Sequence, residues 1–135
     1  MKIGVTGTRS GMTDKQRAEV TEFLTRAGGG ELHHGDCVGV DVEVAEIAAS
    51  LGYKTVCHPP SKNDLRAFHK SDEFRTPLSY FARNRNIVDE TDKLLVVPYQ
   101  DAWQPNGGTW YTHDYAKKKK KPYEVFYPTK EGKLV

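Results

Sequence analysis

The residues best suited to chemistry in this sequence lie in short loops that combine glycine with small polar or charged side chains. Gly107, Gly108 and Thr109 follow a buried apolar run and precede a helical pattern. Glycine lets the backbone approach an anion closely, and the first N–H groups of a helix point towards it. Thr109 can cap the helix or bind a phosphate oxygen. We interpret this loop as an anion cradle, with an unliganded helix-entry turn as the alternative.

A second loop of this kind contains Gly7, Thr8 and Arg9, directly after the first apolar run. The planar guanidinium of Arg9 can bind a phosphate through two parallel hydrogen bonds. The alternative is a polar turn in which the arginine is solvated.

A third loop runs from Gly35 to Asp41 and supplies two carboxylates, Asp36 and Asp41. A carboxylate after the second strand of such a fold often binds ribose hydroxyls. We therefore predict that Gly35, Asp36 and Asp41 contact a ligand. Asp41 can instead stabilise the positive end of a helix, an effect of about 0.3–1 kcal/mol.

Two arginines on one helix complete the candidate site. Residues two apart on a helix point to nearly opposite sides, so only one of Arg83 and Arg85 can face a given site. Trp103 lies in a polar loop next to the glycines, where its ring could stack on a base. Ordinary packing is the alternative for this tryptophan.

Neither the histidines nor the cysteines form a metal-ligand motif. His33 and His34 are adjacent, so in a strand they point to opposite faces and cannot bind one ion as a pair. We predict structural roles for both, and buried free thiols for Cys37 and Cys57. The sequence thus predicts neither a metal nor a cofactor.

Strand-like and helix-like segments alternate along the chain, which is typical of a parallel sheet with helices on both faces. Thr13 begins a capping box that opens the first helix, whereas residues 61–78 have no clear periodicity and predict a surface segment with one short helix. The strands are predicted near residues 3–5, 31–34, 53–57, 94–97 and 123–127. We therefore expect a single α/β, Rossmann-like, three-layer domain over residues 1–135, with a mainly parallel sheet of about five strands.

The charge and hydropathy of the chain limit the classes of binding partner. The net charge of +2 depends on five consecutive lysines at 117–121, and without them the chain would be negative. We interpret this run as the solvated end of a helix and do not expect nucleic acid as the partner. No apolar stretch approaches the roughly 20 residues of a membrane span. A cytoplasmic protein is therefore expected.

Taken in order, these motifs resemble the SLOG superfamily, named for the Smf DNA-processing proteins and the Lonely Guy enzymes, and most of all its small stand-alone members. The similarity extends from the first loop to Pro122. The matching residues are Gly7-Thr8-Arg9, the loop from Gly35 to Asp41, His58-Pro59, Arg83-Asn84-Arg85, Ile87, Asp92, Pro98 and Gly108-Thr109-Trp110. The resemblance implies a Rossmann-like fold, a nucleotide or nucleotide-derived ligand, and a homodimer or larger homo-oligomer.

The resemblance also identifies a departure. Lonely Guy enzymes cleave the N-glycosidic bond of cytokinin nucleotides with an arginine, which corresponds to Arg83, and a glutamate, whose position here is Thr112. Threonine cannot carry the charge that stabilises a ribosyl cation. Asp114 is a possible substitute, but two residues are about 200° apart on a helix, so it should point away.

Three functions follow from these observations. The first is binding of an ADP-ribose-like molecule or a mononucleotide, as a sensor or sequestering protein. The second is a nucleoside 5′-monophosphate N-glycosidase that uses Arg83 together with Asp36 or Asp41. The third is binding of single-stranded nucleic acid through the lysine run.

Overall fold

The computed structural model describes residues 1–105 and 107–129. These residues form one sheet of six parallel strands in the order β4-β3-β2-β1-β5-β6, flanked by four helices. The elements in chain order are β1 Lys2–Gly7, α1 Asp14–Ala27, β2 Glu31–His34, α2 Val40–Ser50, β3 Lys54–Cys57, β4 Glu73–Phe74, α3 Tyr80–Glu90, β5 Lys93–Val97, α4 Gly108–Lys118 and β6 Tyr123–Val125. The predicted α/β, Rossmann-like architecture is confirmed.

Strand β5 shows why the domain has three layers. Leu94 and Val96 pack against α3 and α4, whereas Leu95 and Val97 belong to the larger core beneath α1 and α2. All four side chains are fully buried. A strand buried on both faces reads as a continuous apolar run, which is why this element was the clearest strand in the sequence.

The sheet has one strand more than predicted. The segment 61–78, expected to carry a short helix, instead contributes β4, which pairs in parallel with the end of β3. Asp72 fixes its start, because its carboxylate accepts a hydrogen bond from the backbone N–H of Thr55 at 2.8 Å. A strand of two residues has no periodicity, so the sequence pattern could not indicate it.

The predicted capping box at the start of α1 is present. The Thr13 hydroxyl accepts a hydrogen bond from the backbone N–H of Gln16, and the Gln16 side chain accepts one from the N–H of Thr13. The amide of Gln16 is buried and also donates to the carbonyls of Pro98 and Phe126, so this cap joins the helix to the ends of β5 and β6.

We expect Thr13→Ala to lower the free energy of unfolding by about 1 kcal/mol, because it leaves a helix N–H without a partner. Urea denaturation monitored by circular dichroism measures this. The matched control is Thr25→Ala on the same helix, where the exposed hydroxyl bonds only to the carbonyl of Thr21. The control should lose nothing, since alanine has the higher helix propensity. Equal losses in the two variants would contradict the role of the cap.

Because all strands are parallel, their carboxyl ends lie along one edge of the sheet. Strands β2 to β4 are added on one side of β1, whereas β5 and β6 lie on its other side, so the strand order reverses between β1 and β5. Ligands bind at such a switch point in open α/β sheets. Here the loops come very close together: Gly39 has φ of 89°, and a Cβ on it would lie 2.4 Å from the carbonyl oxygen of Arg9. Only glycine fits at this position.

Among the described residues, no helix combines the length and apolar character needed to cross a membrane.

Candidate functional site

A cavity of about 750 Å³ opens at the carboxyl edge of the sheet, beside the switch point. It lies between the loop after β1, the first turns of α3 and the loop that leads into α4. Its lining residues are Thr6, Gly7, Thr8, Arg9, Cys37, Asp41, Ser79, Tyr80, Phe81, Arg83, Asn84, Tyr99, Gln100, Gln104, Gly107, Gly108, Thr109 and Trp110. This volume is within the roughly 300–1,000 Å³ of small-molecule sites.

Most of the residues predicted to bind a ligand lie together in this cavity, although they come from four separate parts of the chain. Those in the lining are Gly7, Thr8, Arg9, Asp41, Arg83, Gly107, Gly108 and Thr109. Gly35, Asp36 and Trp103 are not among the lining residues. The sequence analysis did not single out Gln100 and Gln104, which the segment between β5 and α4 contributes to the lining.

The start of α4 is arranged as an anion would require. The N-cap residue is Gly107, which has no side chain to bond to the first N–H groups of the helix. A Cβ on Gly107 would meet nothing within 4 Å, and one on Gly108 would only touch the Asn84 amide at 3.6 Å. Unsatisfied N–H groups at a positive helix end attract anions. The loop therefore has both the open space and the donors for an anionic group.

Arg83 is the principal cation of the cavity, although only 3% of its surface is exposed. Its Nε donates to the side-chain oxygen of Asn84 at 2.7 Å, and its Nη1 donates to the carbonyls of Gly35 and His58. The partner of Nη2 is the sulfur of Cys37 at 3.7 Å. Sulfur is a weak acceptor, so an anionic oxygen would be a much better partner for Nη2.

The prediction that one of the two arginines faces the site is confirmed. Arg85, two residues on, donates to the hydroxyl of Tyr111 at 2.7 Å and does not line the cavity. Phe81 stacks on Tyr111 with ring centroids 4.3 Å apart and is half exposed. Whether this surface joins subunits stays a prediction.

Asp41 is the only carboxylate among the described residues that line the cavity. It accepts hydrogen bonds from the backbone N–H groups of Gly35 and Cys37, at 3.2 and 3.3 Å. Burial raises the pKa of Asp41 to about 6, against the opposing effect of the positive charge on Arg83. This carboxylate can therefore gain or lose a proton near neutral pH.

Asp36 and Gly35 lie outside the cavity lining and contact other parts of the chain, so their predicted contacts with a ligand stay predictions. Asp36 is fully buried with φ of 59°, and its carboxylate binds Arg66 Nε and the backbone N–H of His69, both at 2.8 Å. A Cβ on Gly35 would lie 2.6 Å from the Arg83 guanidinium. Asp36 thus anchors the loop to the segment after β3, and Gly35 leaves the space that Arg83 occupies.

Trp103 is about half exposed and lies outside the cavity lining, so its predicted stacking on a ligand stays a prediction. Its indole N–H donates to the carboxylate of Asp114 at 3.1–3.2 Å. The same contact shows that Asp114 points away from the cavity, as its helical position predicted. Trp110 is buried and lines the cavity, so it supplies the aromatic surface that Trp103 was expected to provide.

Thr112 cannot act in place of a catalytic glutamate. Its side chain is 1% exposed, and its hydroxyl donates to the carbonyl of Gly108 at 2.7 Å. It stabilises the first turn of α4 instead of facing the cavity.

Cys37 and Cys57 are both free thiols, as predicted, but only Cys57 is fully buried. Cys37 is partly exposed and lines the cavity beside Arg83, so its predicted burial is wrong. Burial nevertheless raises the pKa of the Cys37 thiol, with a further contribution from Asp41. The lysines at 117–120 are exposed around the end of α4, in agreement with the interpretation as a solvated helix end.

Comparison with protein-family models gave no match, and comparison with curated proteins gave none either. Solved structures, in contrast, are similar over almost the whole chain. The molybdenum cofactor binding protein of Rippkaea orientalis has a TM-score of 0.68 and 22% identity, covering 92% of this chain and 74% of its own. The molybdenum cofactor carrier protein of Chlamydomonas reinhardtii has a TM-score of 0.66 and 22% identity, and the alignment again covers 92% of this chain and 74% of that protein.

DNA processing protein A of Helicobacter pylori, whose structure concerns single-stranded DNA binding, has a TM-score of 0.63 and 21% identity. The alignment covers 93% of this chain and 64% of that protein, so this chain spans less than two thirds of it. The expectation that nucleic acid is not a partner therefore has no support from these structures. At such identities the similarity establishes the fold alone. The chain has the Rossmann-like fold that its sequence predicted, and it shares this fold with the three proteins named above.

Proposed function

We propose that this protein binds an anionic, nucleotide-like small molecule, an ADP-ribose derivative or a mononucleotide, as a sensor or sequestering protein. The observation that supports this most directly is the position of Arg83. Its guanidinium lies in the cavity wall with Nη2 next to a sulfur, and the same cavity contains the N-terminus of α4, whose N-cap residue is Gly107.

The cavity lining suits both ends of a nucleotide. Arg83, Arg9 and the N–H groups after Gly107 favour a phosphate, because all of them attract negative charge. The aromatic rings of Tyr80, Tyr99 and Trp110 line the same cavity and offer stacking surfaces for a base.

Binding without cleavage fits the positions of the acidic residues. Thr112 is buried and hydrogen-bonded within its helix, Asp36 is paired with Arg66, and Asp114 is paired with Trp103. Of the carboxylates considered for hydrolysis, Asp41 is the one that remains a candidate. A protein that only sequesters a ligand needs none of them.

Isothermal titration calorimetry of the full chain tests the proposal with AMP, ADP-ribose, cyclic ADP-ribose and inorganic phosphate as probes. We expect a nucleotide to bind more tightly than phosphate, because it also contacts the aromatic surfaces. A fluorescent thymidine oligonucleotide at low salt tests the nucleic-acid alternative. Absence of binding by every nucleotide at millimolar concentration, or binding of the oligonucleotide only, would overturn the proposal.

A second candidate, a nucleoside 5′-monophosphate N-glycosidase, is favoured by Asp41 alone. A carboxylate whose pKa is about 6 is suited to assist the attack of water on a ribosyl centre, with Arg83 holding the phosphate.

Incubation with AMP followed by chromatography distinguishes hydrolysis from binding. If the protein is an enzyme, adenine and ribose 5-phosphate form, and Asp41→Asn lowers the rate by at least about 100-fold. Release of adenine at the same rate by wild type and Asp41→Asn would exclude Asp41 from the chemistry. No release by wild type would leave binding as the function.

A further inference from the structure

Two histidines and a glutamate lie together outside the cavity lining. His33 is on β2, His58 directly follows β3, and Glu90 is the last residue of α3. Each offers one ligand atom, and these three atoms lie within 4.8 Å of one another. Both imidazoles are almost fully buried, whereas about a third of the Glu90 side chain is exposed. The cluster is thus rigid on one side and open to solvent on the other.

The hydrogen bonds of this cluster determine where the protons lie. Nε2 of His33 is 2.8 Å from a carboxylate oxygen of Glu31, which can only accept, so this nitrogen carries the proton. Nδ1 of His33 is therefore an acceptor, and Nε2 of His58, at 2.8 Å, must donate to it. Nδ1 of His58 is then left with a lone pair, and it faces Oε2 of Glu90 at 4.0 Å.

Two electron-pair donors consequently face each other across 4.0 Å. The lone pair of His58 Nδ1 and the negative charge of the Glu90 carboxylate repel each other at this distance. In this hydrogen-bond arrangement each imidazole carries one proton and is neutral, which is the form that ligates metals. A cation between His58 and Glu90 removes the repulsion without protonating the ring.

The surroundings are arranged as in metal sites. The carboxylate of Glu31 holds the distal nitrogen of His33, which is the usual outer partner of a metal-binding histidine. Oε1 of Glu90 is held by Arg75 at 2.9 Å, which leaves Oε2 towards His58. Glu90 also ends α3, and the negative end of a helix dipole favours a cation.

We propose that His33, His58 and Glu90 form a binding site for a divalent transition-metal ion of the zinc class. Two imidazole nitrogens and one carboxylate oxygen are a ligand set that zinc commonly takes, with water in the fourth position. The ion lies between Nδ1 of His58 and Oε2 of Glu90, and Nδ1 of His33 becomes its third ligand when the 2.8 Å hydrogen bond from Nε2 of His58 breaks. The sequence predicted no metal because His33 and His34 diverge; the second histidine comes instead from the neighbouring strand.

This site would also stiffen the cavity. The backbone carbonyl of His58 accepts a hydrogen bond from Nη1 of Arg83 at 3.1 Å. Fixing the His58 ring thereby fixes the residue that positions the guanidinium.

Zinc titration of the full chain, purified without a histidine tag and stripped with chelator, tests the proposal with no nucleotide present. We expect one equivalent of Zn²⁺ to bind by calorimetry, and Co²⁺ in its place to give visible absorption bands of a low-coordinate site. Glu90→Gln should weaken zinc binding by at least about 10-fold, since it removes a direct ligand. The measurement is independent of the cavity ligand, so it can succeed where nucleotide binding fails.

The matched control is Glu73→Gln. Glu73 also pairs with Arg75, at 3.0 Å, and carries the same charge near the cluster, but it is not among the three ligands. It should change zinc affinity by no more than about twofold, because an exposed charge is screened. No stoichiometric zinc binding by wild type, or equal weakening in the two variants, overturns the proposal. Glu90 is partly exposed, so its variant is expected to fold, and a thermal melt verifies this.

Discussion

We expect Arg83→Gln to weaken the binding of AMP and of ADP-ribose by about 10–100-fold, because a hydrogen bond to a charged group contributes about 1.5–3 kcal/mol. The variant should lose its interactions with the phosphate group of the ligand, so we expect the binding of inorganic phosphate to weaken as well. Calorimetry with each probe at fixed ionic strength measures the change.

The matched control is Arg85→Gln on the same helix. It removes the same charge from the protein, but Arg85 is bonded to Tyr111 and does not line the cavity. We expect its affinity for AMP to stay within about twofold of wild type, because the remaining effect is long-range and screened. Equal losses in both variants would mean that net charge, and not the position of Arg83, determines binding.

Arg83 is buried, so its replacement could also disturb the fold, and Gly35→Ala separates these effects. The added Cβ would lie 2.6 Å from Nη1 of Arg83, which displaces the guanidinium while every charge is kept. Gly35 is not among the residues with positive φ, so its backbone accepts alanine. We expect the same direction of change as for Arg83→Gln. A folded Gly35→Ala protein and a folded Arg83→Gln protein that both bind AMP normally would contradict the proposed site.

The sequence predicted those parts of the site that depend on local geometry. The helical period separated Arg83 from Arg85, and the strand–loop–helix order placed the glycine loops at one edge of the sheet. The capping box at Thr13 likewise requires only four consecutive residues. Each of these features is determined within a few residues, so the sequence pattern suffices.

The contacts that the sequence pattern did not indicate depend on residues far apart in the chain. Asp36 resembled a ligand-binding carboxylate because its partner Arg66 lies 30 residues away in a segment without periodicity. Gly35 resembled a flexible loop glycine, whereas its role comes from Arg83, 48 residues later. His33 and His58 are brought together only by the pairing of β2 with β3. No local pattern carries these contacts.

The structure also predicts that Asp41 reduces stability at neutral pH. Its pKa in the folded protein is about 6, above the ordinary 3.8, so the folded state binds its proton more tightly than the unfolded state does. Protonation therefore favours folding, and the free energy of unfolding should fall as the pH rises from about 4 to about 6 and stay lowered above that. A shift of roughly two pKa units corresponds to about 3 kcal/mol.

Asp41→Asn removes this titration while keeping an oxygen for the N–H groups of Gly35 and Cys37. The N–H groups of Gly35 and Cys37 both bond to Oδ2, so the asparagine oxygen can accept from both. We expect the variant to raise the free energy of unfolding at pH 8 by about 1–3 kcal/mol, less than the full value because a neutral amide loses the attraction to Arg83. At pH 4 the gain should disappear. Urea denaturation of both proteins at several pH values between 4 and 8 measures the difference.

The contrast with Asp36→Asn makes this result interpretable. Asp36 lies in the loop just before α2 and is also buried, but its carboxylate is paired with Arg66 at 2.8 Å. Removing one partner of a buried ion pair leaves the other uncompensated, so Asp36→Asn should destabilise the protein at pH 8. If Asp41→Asn stabilises the protein and Asp36→Asn destabilises it, then the charge of Asp41 is unfavourable to folding and the charge of Asp36 is favourable. Carboxylates with strongly shifted pKa values cluster at functional sites. The stability measurement would therefore identify Asp41 as a functional residue of the cavity, whether the ligand there is bound or cleaved. If Asp41→Asn is less stable than wild type at pH 8, or the wild-type dependence between pH 4 and 6 persists in it, that conclusion is wrong.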